Sequence, residues 1–340
     1  MTEVGVCGPV RRQAPLVEVT GLKQWFRTDD GFLRTPQIVR AVDDVSFSIE
    51  RGEALGLVGE SGSGKSTLGR AVLRITEPTD GRIVFDGRDL TRLSMRALRP
   101  LRPSMQFIFQ DPVASLNPRM TVRQIINAPL AIQRPDMDAT SREAKIQDIL
   151  RTVGLPPQSL DRYPHEFSGG QRQRIGIARA LISEPTFLVA DEPLSALDVS
   201  IQAQIVNLLI EVRKKFDIAM LLISHDLAVV GHLCDRVAVM YLGRIIEIAP
   251  TRQLFNRPRH PYTEALFSAV PEPDPTSRRE RIVLRGEMPS PLAPPSGCAF
   301  RSRCRYALPE CAAAVPVLRE VAEGHRVRCI RDDLNLSRPT

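Results

Sequence analysis

At 340 residues the chain is long enough for one large domain and a smaller one. A hydrophobic content of 43% and a charged content of 25% are ordinary for a soluble globular protein. No apolar run approaches the roughly 18 residues needed to cross a bilayer, and residues 1–15 form a tail without an apolar signal core. The net charge of +7 would suit nucleic acid or anionic lipid, but the arginines are spread along the chain. They read as solvated faces, and no nucleic-acid partner is expected.

The first informative element is Ala54–Val58, a short apolar run of buried-strand type. It runs into Gly59-Glu60-Ser61-Gly62-Ser63-Gly64-Lys65-Ser66-Thr67, which satisfies the G-x-x-x-x-G-K-[ST] pattern, and Leu68–Ile75 reads as the helix that follows. Gly59, Gly62 and Gly64 let the backbone turn its N–H groups into an anion-sized hollow, to which the helix start adds field. Lys65 is expected on the β- and γ-phosphates and the Ser66 hydroxyl on Mg²⁺. A Gly/Ser-rich turn before an ordinary helix is the bland alternative; Lys-Ser-Thr directly after a strand argues against it.

Between Gln110 and Ser168 the chain reads as mainly helical. Thr140-Ser141-Arg142-Glu143 has the form of a capping box, and Ile146, Ile149, Leu150 and Val153 share a face before Gly154 stops the helix. Phe187–Ala190 is a second buried strand, ending in Asp191-Glu192-Pro193. Asp191 is placed to organise Mg²⁺ and Glu192 to polarise an attacking water. Ile201, Ile205, Leu208, Leu209 and Val212 form a core stripe on the next helix, and strands are expected at Met220–Ser224 and Val237–Tyr241. The alternation of helix and strand predicts a largely parallel central sheet.

A phosphate loop alone leaves many nucleotide-handling classes open. Ser168-Gly169-Gly170-Gln171 downstream narrows them, because together the two motifs resemble the nucleotide-binding subunit of an ABC transporter from about residue 16 to 255. The resemblance implies a P-loop NTPase of α/β class, with a RecA-like parallel sheet core and a helical subdomain at about 111–180. It implies that Gln110, in Ile108-Phe109-Gln110-Asp111-Pro112, contacts Mg²⁺ and the water. His225 matches the switch histidine, Ser195-Ala196-Leu197-Asp198 the aspartate loop, and Phe26 (with Trp25 second) the adenine-stacking aromatic. Phe167 stands where the signature usually has leucine. Ser168 is a good helix N-cap, and the glycines leave backbone N–H groups uncovered at the helix start. In the family this second anion site serves the ATP bound to Lys65 of the opposite subunit in a head-to-tail dimer.

From residue 256 to 340 the character changes. Pro258, Pro261, Pro271, Pro273, Pro275, Pro289, Pro291, Pro294 and Pro295 argue against a long helix or sheet core. Cys298, Cys304, Cys311 and Cys329 then cluster, spaced C-x5-C-x6-C with the fourth after seventeen further residues. That spacing is wide for a zinc ribbon and is not a ferredoxin run, so a metal site and unligated buried thiols both stay open. Cys7 and Cys234 are left unpaired, with Cys234 read as a core residue. Arg259-His260-Pro261-Tyr262-Thr263 followed by these cysteines resembles the C-terminal extension of oligopeptide and dipeptide importer ATPases. That resemblance implies a [4Fe-4S] cluster on the four cysteines; in a segment that otherwise lacks a hydrophobic core, it is expected to act as a structural staple. Ser115-Leu116-Asn117-Pro118-Arg119 and the insertion Thr28–Gln37 resemble the F-type member of the paired D and F ATPases. The implied partners are a second ATPase subunit in a heterodimer, two transmembrane permeases and an extracytoplasmic substrate-binding protein. The chain itself would lie peripherally on the cytoplasmic face of the membrane. A related nickel or glycoside importer, a soluble ABC ATPase acting on ribosomes or DNA, and a redox enzyme are the competing classes. The ATPase motifs, none of which lies beyond residue 225, are expected to act independently of the cysteines.

Overall fold

The computed structural model describes residues 14–28, 37–195, 197–269, 282–284 and 286–336. Most of the N-terminal tail with Cys7, the interior of the insertion, Ala196, and Pro271, Pro273 and Pro275 lie outside them.

The chain opens with β1 (Val17–Thr28) and β2 (Gln37–Ile49), paired antiparallel. β3 (Ala54–Val58) feeds the phosphate loop and helix α1 (Lys65–Val72). β4 (Asp80–Phe85) returns antiparallel to β1, and β5 (Arg88–Asp89) completes a sheet of order β2-β1-β4-β5. This antiparallel layer had no signal strong enough to predict it. Helix α2 (Met95–Leu98) precedes β6 (Met105–Ile108). A helical stretch follows: α3 (Pro112–Ser115), α4 (Val122–Gln133), α5 (Ala139–Thr152) and α6 (Gly169–Leu181). Then come β7 (Phe187–Asp191), α7 (Val199–Phe216), β8 (Ala219–Ile223), α8 (Leu227–Leu233) and β9 (Arg236–Tyr241). The final elements are β10 (Arg244–Pro250), α9 (Thr251–Asn256), α10 (Pro261–Ser268), β11 (Arg319–Ala322) and β12 (His325–Val327).

Two details differ from the sequence reading. Helix α5 starts earlier than a cap at Thr140 would allow, because the Asp138 carboxylate accepts from Ser141 N–H and caps it. Helix α1 starts at Lys65, so Lys65, Ser66 and Thr67 all sit in its first turn.

The main sheet has the order β11-β12-β10-β9-β3-β8-β7-β6. β9, β3, β8, β7 and β6 run parallel, as expected, whereas β10, β12 and β11 add on antiparallel. Successive residues of each strand face opposite sides. On β7, Phe187 and Val189 join a core with α1 and the antiparallel sheet, while Leu188 and Ala190 join one with the helical stretch. Both faces are therefore covered, as a parallel sheet requires.

The segment after residue 256, expected as a small irregular domain, adds strands to the cassette sheet and side chains to its core. β12 pairs with β10, and Tyr262 and Phe300 are buried in the same core as helices α4 to α7. A carboxylate of zero exposure, Glu247 on β10, organises the junction. It accepts from Arg259 N–H at 2.6 Å and His260 N–H at 3.0 Å, and lies 2.7 Å from His325 Nε2 on β12. Such a group is tolerated in a core only when its lone pairs are met in this way.

Candidate active site

Register explains why the site forms. Ile108 lies beside Ala190, Asp191 beside Ile223, Leu57 beside Ile223 and Val58 beside Val239. The parallel strands thus end together, and the residues just beyond them meet at one carboxyl edge, where α/β sheets place ligands.

In the phosphate loop, Lys65 is only 6% exposed and its ammonium donates to the carbonyls of Gly59 (2.8 Å) and Glu60 (2.9 Å). Burial pulls its pKa below the ordinary lysine value, opposed by the charges of Glu192, Asp191 and Glu60. Gly64 caps α1 with φ +101°, and a Cβ there would lie 2.0 Å from the Ala41 carbonyl oxygen. Ser63 is fully buried, and its carbonyl accepts from Gly243 N–H at 2.9 Å.

Ser66 Oγ donates to Asp191 Oδ1 at 2.8 Å. The second carboxylate oxygen, Asp191 Oδ2, is buried and finds no hydrogen-bond partner among the described residues. Burial raises the Asp191 pKa, which the Ser66 hydrogen bond and the Arg70 charge oppose. A buried carboxylate oxygen beside a serine hydroxyl and a phosphate loop is a donor set suited to a hard cation such as Mg²⁺.

Glu192 follows with φ +44°, a left-handed conformation fixed by its N–H donating to Ile223 O at 2.9 Å. For a residue with a Cβ that geometry stores strain of about 1–3 kcal/mol. It directs the carboxylate to Gln110, whose Nε2 donates to Oε2 at 3.0 Å, and to His225, whose Nδ1 lies 3.4 Å from the same oxygen. The His225 side chain is 63% exposed. Gln110, Asp191, Glu192 and His225, scattered in sequence, are thus brought together. Phe26 stands on β1, 41% exposed, with its neighbour Trp25 under the Arg40 guanidinium at 5.1 Å.

Ser168 caps α6: its Oγ accepts from Gln171 N–H at 3.4 Å, and Gln171 Oε1 accepts from Ser168 N–H at 3.1 Å. The glutamine of the signature therefore closes a capping box. Gly170 is needed for packing as well as for an open helix start, since a Cβ there would meet Ile201 Cγ2 at 2.4 Å. Gly169 is looser, 3.4 Å from Leu197 Cδ2 by the same measure.

Cys298, Cys304, Cys311 and Cys329 are all free thiols, as is buried Cys234. Two of the four sulfurs receive a backbone N–H, Cys311 from Leu308 at 3.5 Å and Cys329 from Arg331 at 3.4 Å. Burial raises the thiol pKa values of Cys298 and Cys329 and pushes Cys304 up to about 11; the neighbouring thiols push in the same direction. Among the described residues no three His, Cys, Asp or Glu side chains converge tightly enough to hold a metal ion.

Sequence reasoning left three residues outside the site. Glu60 N–H donates to Tyr262 Oη at 2.8 Å, and its carboxylate accepts from Arg303 Nη1 at 2.9 and 3.1 Å. The phosphate loop thus touches the C-terminal segment through Glu60. No motif lies beyond residue 225, but the contacts of one do. The one available signal was the unassigned His-Pro-Tyr run at 260–262.

A phosphate loop, a paired Ser66–Asp191, a polarised Glu192 and a capped glycine signature define an ATPase of the ATP-binding-cassette class. The ABC transporter family profile matches residues 42–195, and the profile of the oligopeptide/dipeptide transporter C-terminal region matches residues 246–311. The chain is 56% identical over 322 residues to a putative peptide import ATP-binding protein of Brucella ovis, covering 95% of this chain and 99% of that one. It is 50% identical to the oligopeptide transport ATP-binding protein AppF of Bacillus subtilis, covering 93% and 97%. A dimeric bacterial ABC transporter cassette superposes with TM-score 0.63 at 26% identity, over 69% of this chain and 99% of that chain. The chain belongs to the peptide-import family of ABC-transporter ATP-binding subunits. Among the described residues no helix is long and apolar enough to cross a membrane.

Proposed function

We propose that this chain hydrolyses ATP to energise import of oligopeptides or dipeptides through an ABC transporter. The observation that carries the chemistry is the Glu192 carboxylate, held between Gln110 and His225 one residue beyond the buried, half-partnered Asp191. In this reading Gly59, Gly62, Ser63, Gly64, Lys65 and Thr67 cradle the phosphates. Ser66, Asp191 and Gln110 hold Mg²⁺, which when bound offsets phosphate charge. Glu192 takes the proton of the attacking water, His225 supports the γ-phosphate side, and Phe26 stacks on adenine. Ser168, Gly169, Gly170 and Gln171 complete the site of the opposite subunit, a reading supported by the dimeric cassettes of similar fold. Residues 16–255 form the cassette, with its helical part at about 111–180, and residues 256–340 the extension.

The same reading puts a [4Fe-4S] cluster on Cys298, Cys304, Cys311 and Cys329. Support comes from the resemblance of the extension and from the backbone N–H groups that meet the Cys311 and Cys329 sulfurs, which suit thiolates bonded to iron. The cluster would cross-link a segment poor in regular structure, since metal binding of this kind contributes folding free energy.

The likeness to AppF and the Ser115–Arg119 motif support an F-type subunit paired with a different ATPase, on two permeases and a peptide-binding protein at the cytoplasmic face of the membrane. Copurification of the chain with its membrane partners tests this. ATPase activity of the reconstituted complex should rise when peptide-loaded binding protein is added. No response to peptides, with a response to another cargo, would overturn the peptide assignment.

A further inference from the structure

We propose that Tyr262 and Arg303 are positioning residues for the phosphate loop, so that the C-terminal segment sets the affinity for nucleotide. The proposal rests on the reading of that loop as the ATP site.

Glu60 is the loop residue on which the two regions meet, and each of its polar groups is engaged. Its N–H donates to Tyr262 Oη (2.8 Å), its carbonyl accepts from the Lys65 ammonium (2.9 Å), and its carboxylate takes both Arg303 contacts (2.9 and 3.1 Å). Its carbonyl also accepts from Ser63 N–H at 3.2 Å, tying the clamp to the turn that forms the anion hollow. The anchors cannot drift. The Tyr262 ring is fully buried, 4.7 Å from Tyr241 and 5.3 Å from Phe300 between ring centres. Arg303 is 7% exposed against 30% for Glu60, so this ion pair is shielded on one side, unlike an ordinary surface pair.

Glycine-rich loops bind anions only while their N–H groups are held convergent. Here an aromatic cluster fixes one shoulder of the loop and an arginine fixes the side chain above it. The Lys65 ammonium, meanwhile, is shared with the carbonyl of the clamped residue. Releasing Glu60 frees that carbonyl and the adjoining turn, and the ordering must then be supplied when nucleotide binds. This gives the His-Pro-Tyr run a task. Glu247 fixes Arg259 and His260, His260 Nδ1 accepts from Tyr262 N–H at 3.1 Å, and Tyr262 reaches the loop.

Tyr262→Phe keeps the aromatic packing and removes the acceptor; Arg303→Ala removes the ion pair; Arg303→Lys keeps the charge with poorer reach. MgATP and MgADP binding to each full-length chain, and the kcat/KM split in the reconstituted complex, are the readouts. Tyr262→Phe should weaken nucleotide binding about three- to tenfold and Arg303→Ala about ten- to hundredfold, from the usual worth of neutral and charged hydrogen bonds. The loss should fall on KM, with kcat within about twofold, and Arg303→Lys should recover part of it. If wild-type chain fails to bind MgATP, or Lys65→Ala binds it as well as wild type, the ATP-site reading itself falls. If wild type binds and Lys65→Ala does not, yet folded Tyr262→Phe and Arg303→Lys both match wild type, the clamp is refuted. A merely structural role would lower thermal midpoints and leave the affinity of the folded fraction unchanged, which also overturns it.

Discussion

Replacing Glu192 by Gln isolates the chemistry from the architecture. The amide keeps the volume and the left-handed backbone at φ +44°, and its oxygen still accepts from Gln110 Nε2, now at 3.0 Å from Glu192 Oε2. What disappears is the base and one negative charge. Loss of a positioned general base slows the chemical step by roughly 10²–10⁴-fold, or about 2.7–5.4 kcal/mol of barrier. Loss of the charge acts in the opposite direction on binding. Glu192 supports protonation of Lys65 and disfavours ionisation of Asp191, so it adds negative field where the phosphates must sit. Nucleotide affinity should therefore hold or improve while turnover collapses, leaving MgATP trapped in a closed dimer. Single-turnover hydrolysis in the reconstituted complex, with nucleotide retention measured on the same sample, reads both effects. A rate within tenfold of wild type, or an affinity that falls with the rate, would refute the assignment of Glu192 as base.

Two glycines of the loop should separate in severity. Gly64→Ala drives a Cβ to 2.0 Å from Ala41 O and should abolish nucleotide binding, whereas Gly62→Ala meets nothing within 4 Å and carries only left-handed strain of about 1–2 kcal/mol; equal losses in titration would contradict this. Burial pushes His260 down to about 3 from 6.5, so the unfolded chain takes the proton first. The stability that this group contributes is intact above pH 6.5 and is lost as pH falls towards 3. Relative to His260→Asn, wild type should therefore lose up to about 1.4 kcal/mol per pH unit in that window, and parallel urea-unfolding curves would exclude it. Ser168→Arg should impair hydrolysis in the complex while leaving the isolated chain's ATP affinity unchanged; a large affinity loss there would mean contact within one subunit. Anaerobically purified chain should be brown with about four irons, and Cys304→Ser should lose the colour and, because Arg303 is its neighbour, weaken ATP binding too. Stoichiometric zinc without iron would overturn the cluster.

The site was legible where chemistry fixes both residue type and spacing. Gly59–Thr67 and Asp191-Glu192 follow buried strands whose apolar runs are unmistakable, and the parallel register of those strands brings them together. The antiparallel layer was not legible, because β1 and β2 are long, bulged and only partly alternating in burial. Nor was the docking of the extension. Glu60 is separated from Tyr262 by 202 residues and from Arg303 by 243, and no local pattern encodes a pair at that range. Among the described residues after 256 the elements are short, as the prolines suggested. Those prolines were silent on β11 and β12, which need few residues because β10 supplies the template.

That template has a consequence for how the molecule is made. β10 stands at the margin of the cassette sheet and is covered by a strand, His325–Val327, drawn from the far end of the described chain. During synthesis the cassette emerges first, with the β10 hydrogen-bonding groups bare and Glu247 lacking its His325 contact. An open edge beside an unsatisfied carboxylate invites pairing with other nascent chains. Polypeptides ended before Arg319 should accordingly associate through this edge, and a peptide spanning Arg319–Cys329, added in trans, should compete for it.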